Sequence, residues 1–128
     1  MAASAELGAN RELASRLRLL PDTDDVAPLD ELATPELAAV MSEHITAMSA
    51  AFPDVRYEID DVIAEGDRVV VRWTRVGTHL GPFRGIAPTG RRVTHSGVRI
   101  WRFAGGRAVD MWGVEDVHGL LGQVTAEP

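Results

Sequence analysis

RYEIDDVIAEGDRVVVRWTRVGTH, residues 56–79, holds two strands and the turn that joins them. Over residues 56–64 the side chains alternate, with Tyr57, Ile59, Asp61 and Ile63 set against Arg56, Glu58, Asp60 and Val62. That is the period of a half-buried strand. Glu65-Gly66-Asp67 supplies the turn, and residues 68–79 run on as a long second strand. LGPFRGIAPTG, residues 80–90, holds three Gly and two Pro and reads as a loop. RRVTHSGVRIWRF then makes a third strand that ends at Gly105-Gly106, and RAVDMWGVE a fourth. DVHGLLGQV closes the chain's pattern as a short amphipathic helix.

Upstream the period is helical. RELASRLRLL, residues 11–20, is rich in helix formers and puts Leu13, Leu17 and Leu20 on one face. Pro21 ends it, and PDTDDVAPLDELATP follows as an acidic, proline-punctuated connection. Thr34 is placed to cap the next helix and Pro35 suits its first turn. Leu37, Val40, Met41, Ile45, Met48 and Phe52 form its apolar stripe, and Pro53-Asp54 stops it. Helices first and hairpin-linked strands afterwards predict an α+β domain with an antiparallel sheet. Strands this long twist and curl, which leaves a concave face for helices to cover and a pocket between the layers.

The chain has 128 residues and a mass of 13.9 kDa, one domain's worth, so residues 1–128 are read as a single domain. It contains no cysteine, which excludes disulfide scaffolds, thiolate metal sites and cysteine nucleophiles. All 13 basic residues are arginine, which excludes Schiff-base chemistry as well. The net charge of −6 is unevenly spread. Residues 1–61 carry 4 Arg against 13 Asp and Glu, and residues 62–128 carry 9 Arg against 6. An acidic total argues against a nucleic-acid partner. No apolar run has the length of a membrane span, and the first residues lack the pattern of a secretory signal, so a cytoplasmic protein is expected.

Asp116 is the foremost chemical candidate. In a regular last strand Asp110, Trp112, Val114 and Asp116 share one face, and a carboxylate among apolar groups gains the pKa that acid/base work needs. The plain alternative is that Asp116 caps the closing helix. His79 and His95 are the next candidates, either as proton shuttles or as structural histidines. His44 sits on the helical stripe between Met41 and Met48, either buried with a hydrogen-bond partner or lining the pocket. Arg72, Arg99 and Arg102 punctuate the strands, while Trp73, Trp101, Trp112 and Tyr57 supply the large aromatic surface. His79, His95, Asp116 and His118 lack the spacing of a metal site, and none is expected.

The chain from about residue 34 to 124 resembles the SnoaL-like polyketide cyclases of the nuclear transport factor 2-like superfamily. The resemblance rests on FPD at residues 52–54, EGDRV at 65–69, WT and GTH.G.F.GI.PTGR between Trp73 and Arg91, and IWRF..GR..DMW…D from Ile100 to Asp116. It implies a cone-shaped α+β barrel whose helices pack on a strongly curved antiparallel sheet. It also implies an apolar pocket for a polyketide-like substrate, a homodimer packed through the sheets, and chemistry without a cofactor. Trp112 followed four residues later by Asp116 matches the family's acid/base aspartate. The implied reaction is an intramolecular aldol-type ring closure. His79, His95 or Arg102 would stabilise the oxyanion, and Trp73, Trp112, His44, Tyr57 and Phe52 would line the pocket. An epoxide-opening enzyme on the same fold would need a second carboxylate, Asp110 or Asp61. A small-molecule- or partner-binding domain without turnover is the third reading. Residues 8–26 resemble the family's second helix and the segment after it, which leaves the first helix short or absent.

Overall fold

The computed structural model describes residues 4–20 and 26–125. Four strands, β1 (Arg56–Glu65), β2 (Arg68–Thr78), β3 (Arg92–Ala104) and β4 (Arg107–Glu115), pair antiparallel in the order β1-β2-β3-β4. Helices α1 (Ser4–Leu19), α2 (Leu29–Leu32) and α3 (Pro35–Ala51) precede the sheet, and α4 (Val117–Thr125) follows it. The result is an α+β fold with its helices on a curved antiparallel sheet. Among the described residues no helix is long and apolar enough to cross a membrane.

The first helix is longer than the sequence pattern suggests. It begins at Ser4 rather than Arg11 and runs unbroken for 16 residues, so residues 4–7 join the helix that the sequence pattern starts later. Glu6 in its first turn and Arg16 and Arg18 in its last turn suit the helix dipole. It buries Ala14, Leu17 and Arg18, packs on β1 and β2, and ties to β1 through Arg11 Nη2, which donates to the Val62 carbonyl at 3.1 Å. The expected stop at Pro21 lies outside the described residues. LDEL, read as connection, forms the single turn of α2 and buries Leu29 and Leu32. Thr34 occupies the N-cap of α3 with Pro35 behind it, although the hydroxyl makes no cap bond. Phe52-Pro53-Asp54 ends that helix and anchors the sheet. Thr78 N–H and Thr78 Oγ1 both donate to the Asp54 carboxylate at 2.7 Å.

Two strand readings change. In β1, Ile59 pairs with Trp73 and Asp61 with Arg72, so Asp60 is a bulge residue without an opposite number. Tyr57 and Ile59 point inward before the bulge, Val62 and Ala64 after it, and Ile63 is left 57% exposed. In β4 the inner face carries Ala108, Met111 and Glu115, while Trp112 and Val114 are 43% and 74% exposed. Trp101 on β3 lies opposite Met111 and already fills the core there. On the outer face Ile63, Val70, Ile100 and Trp112 lie opposite one another in turn, an apolar stripe that crosses all four strands.

The core splits into two clusters. One gathers Leu17, Leu29, Met41, Ile45, Val71, Trp101 and Phe103, and the other gathers Met48, Phe52, Tyr57, Trp73, Val93 and Leu120. Polar side chains occupy the ground between them. Gly97 lets the Trp73 ring and the Val114 carbonyl lie directly against β3, since a methyl group there would strike both.

Candidate active site

The inward phase of β2 runs Val69, Val71, Trp73, Arg75, Gly77, and that of β3 runs Val93, His95, Gly97, Arg99, Trp101. Arginine on an apolar phase is dragged into the interior with its neighbours. Arg75 is only 2% exposed. Its Nε donates to the Tyr57 hydroxyl at 2.6 Å, and its Nη1 donates to Glu115 Oε2 at 3.1 Å and stands 2.8 Å from His95 Nε2. His95 Nε2 is 3.2 Å from the same Glu115 oxygen. A guanidinium only donates and a carboxylate only accepts, so the proton on His95 selects which of the two the imidazole bonds.

Glu115 is thereby held ionised. The hydrogen bond from His95, opposed by burial and assisted by the charge of Arg75, lowers its carboxyl to about 2. Arg18, delivered by the last turn of α1, lies 4.0 Å over the Tyr57 ring and 5.2 Å from that of Trp73. Arg75 stacks on the same two rings at 4.7 and 4.8 Å. Burial lowers Arg18 to about 10, so it remains a cation at neutral pH.

His44 of α3 stands where three lobes of a cleft meet. The first lobe, about 150 Å³, is lined by Leu17, Arg18, Met41, Arg99, Trp101 and Met111 among others. The second, about 220 Å³, adds Trp73, Gly113 and Glu115. The third, about 250 Å³, adds Arg75, Met48 and Leu120, with Pro82, Phe83 and Arg84 from the loop after β2. Burial first, then the neighbouring charges of Arg75, Arg99 and Arg18 against that of Glu115, pushes His44 down to about 4. It is therefore a neutral imidazole, and its buried Nε2 has no partner among the described residues.

The residues expected from the sequence divide between the cleft and the scaffold. Asp116 is exposed and lies outside the three lobes; its Oδ1 accepts the Gly119 N–H at 2.8 Å, at the start of α4. The adjacent Glu115 takes the inward place because β4 presents its odd-numbered residues to the cleft. Asp61 and Asp110 turn their carboxylates onto the N–H groups of Val62 and Met111, both at 3.0 Å. Arg102 is 3.9 Å from Asp67 beside the β1–β2 turn, and Trp112 lies on the outer face with Arg68 stacked over it at 6.0 Å. His79 is fully buried against Phe52, and its Nδ1 meets Thr89 Oγ1 at 3.0 Å, which fastens the loop that carries Phe83 and Arg84.

His44, His95, Trp73 and Tyr57 do gather in or around the cleft. Sequence reasoning missed Arg18, Arg75 and Glu115 and gave Arg99 no role. The signal for Arg75 and Arg99 was their phase: each shares it with an adjacent buried Trp.

This architecture matches solved structures of small bacterial proteins. AclR of Streptomyces galilaeus, a hydroxylase candidate, is 28% identical with a TM-score of 0.85, over 95% of this chain and 84% of its own. TsrD of Streptomyces laurentii is 25% identical with a TM-score of 0.83, over 99% and 100%. A SnoaL-like polyketide cyclase candidate from Jannaschia sp. CCS1 shares the fold at 23% identity and a TM-score of 0.87, over 100% and 99%. No curated protein matches. The sequence model of SnoaL-like polyketide cyclases matches residues 15–124, which takes in every side chain that lines the cleft. With that match and this fold, the chain belongs to the SnoaL-like polyketide cyclase family.

Proposed function

We propose that the chain is a cofactor-independent acid/base enzyme that closes a ring in a polyketide-like substrate by aldol-type addition, with His44 as the proton-transfer group. The observation that carries this reading is the buried, unpartnered Nε2 of a neutral imidazole at the junction of the three lobes. His44 accepts an acidic α-proton from carbon next to a carbonyl, and the resulting enolate carbon attacks a second carbonyl carbon. The new C–C bond leaves an alkoxide, which takes the proton back from the imidazolium. Arg99, shared by two lobes, faces the enolate oxygen, and ionised Glu115 stabilises the imidazolium. The apolar walls fold a flexible chain so that its two carbonyl regions meet.

The test is hydrogen–deuterium exchange at the α-carbon of a β-ketoester in D2O, followed by NMR. The wild type accelerates exchange, and Asp116→Asn keeps its rate within about threefold because that carboxylate serves α4. No acceleration by wild type sinks the enzyme reading. A tenfold loss in a folded Asp116→Asn protein returns the base to Asp116. The second reading, a ligand-binding domain without turnover, is favoured by the engagement of Asp116 with Gly119 and is the one left standing if exchange is absent.

For the assembly, we propose a homodimer that buries the outer stripe of Ile63, Val70, Ile100 and Trp112. Apolar side chains in a continuous row on a sheet face are costly to leave in water. Sedimentation equilibrium is expected to give twice the chain mass, with Trp112→Glu monomeric. A wild-type mass of 13.9 kDa at micromolar concentration overturns the dimer.

A further inference from the structure

The first lobe has a chemical bias that ring closure by itself does not require. Its polar lining consists of Arg18, His44, Arg99 and Trp101. Arginine and the indole N–H are donors only, and a neutral imidazole donates from one of its two nitrogens. Arg18 Nε and Trp101 Nε1 are both buried and without a partner among the described residues. Neither Arg18 nor Arg99 has a carboxylate within salt-bridge reach among the described residues. Glu115, the acidic group of the cleft, is engaged by Arg75 and His95. Arg18 is 4% exposed and its flat faces are satisfied by aromatic rings, so its unmet demand lies along the N–H edge. Buried Arg18, half-buried Arg99 and a buried indole N–H around one recess are expensive to leave unpaired, and a bound anion removes that cost.

We infer that this lobe is a carboxylate subsite: the molecule bound here carries a free carboxylate, held by Arg18 and Trp101 with Arg99 beside it. A planar carboxylate offers two oxygens to donors that converge from α1 and β3, and it matches a guanidinium edge in shape as well as in charge. The inference rests on the reading of the cleft as the active site and narrows its substrate class to molecules that carry a free carboxylate besides the reacting carbonyls, so a β-ketoester bearing one binds more tightly than a neutral β-ketoester. The reacting carbons then lie toward His44, in the adjoining lobes.

Benzoate and benzamide test this, because they share size and ring and differ in charge. Binding is read by calorimetry at constant ionic strength set with NaCl. Benzoate is expected to bind at least about tenfold more tightly than benzamide. Arg18→Met should abolish that preference, Arg18→Lys should retain part of it, and Trp101→Phe should weaken benzoate several-fold with little effect on benzamide. Equal affinity of the two probes, or a folded Arg18→Met protein that keeps the full benzoate preference, overturns the subsite. Circular dichroism of each variant checks the fold, and Trp101→Phe carries the test if Arg18→Met does not fold. The outcome is independent of turnover. Benzoate selectivity without α-proton exchange keeps the subsite and removes the catalytic reading, and exchange without selectivity does the reverse.

Discussion

Replacing His44 by glutamine is expected to lower kcat for α-proton exchange by about 10²–10⁴-fold, the usual contribution of a positioned proton-transfer group. Glutamine keeps a polar end of similar reach but cannot carry the proton, so KM for a β-ketoester should stay within a few-fold. The same variant has a second readout. His44 titrates near 4 in the fold, against an ordinary value of 6.5 in the unfolded chain. Its contribution to stability is therefore complete above pH 6.5 and disappears as the pH falls through 6.5 to 4, because the unfolded chain takes up the proton first. With a discount for partial exposure, the loss is about 2 kcal/mol. Glu115, about 2 against 4.5, loses its contribution lower down, below pH 4.5. Urea melts at pH 7, 5 and 4 should show the loss above pH 4.5 in wild type and its absence in His44→Gln. A variant with wild-type exchange would remove His44 from the mechanism. One with a wild-type acid profile would show that the imidazole is not held neutral.

Arg75→Met should have the largest effect on stability, about 3 kcal/mol, which for a domain of this size lowers Tm by roughly 10 °C. Methionine replaces the stem but leaves Tyr57 without the 2.6 Å donor and Glu115 without its charged partner. Most of the cost is the stranded carboxylate rather than the lost ion pair. The double variant Arg75→Met/Glu115→Gln is therefore expected to be more stable than Arg75→Met alone, a sign of coupling that independent sites do not show. Calorimetric melts of the four proteins in this cycle decide it. A double variant that loses the sum of the two single losses would mean that Arg75 and Glu115 do not support one another.

The strands, their turns and the α3 stripe were legible because each is a local pattern of apolar and polar residues. What escaped was which face of a two-sided strand turns inward. In β4 both faces carry apolar groups, Ala108 and Met111 on one, brought together by the register shift at Val109, and Trp112 and Val114 on the other. The decision is made across the sheet, where Trp101 lies opposite Met111. The large Trp112 drew the reading to Asp116, while the cleft received Glu115 from the next position along. Arg75 was legible in phase but has the composition of a surface residue. The Tyr57 hydroxyl, His95 and Glu115, brought from three other strands, explain together with the Tyr57 and Trp73 rings how a cation is tolerated there. Arg18 was hidden for a different reason. Its burial depends on where α1 crosses the sheet, and helical spacing does not encode that.

The bulge at Asp60 divides β1 into two stretches that obey opposite rules of inheritance. Ahead of it the odd-numbered positions must stay apolar, and behind it the even-numbered ones must. A descendant that loses Asp60 turns one half of the strand inside out. A relative that never had it matches this chain only after a one-residue gap is opened in the strand. Without the gap, exposed Ile63 is compared with a core position and inward-facing Val62 with a surface one, and substitution patterns around the cleft read as drift where there is constraint.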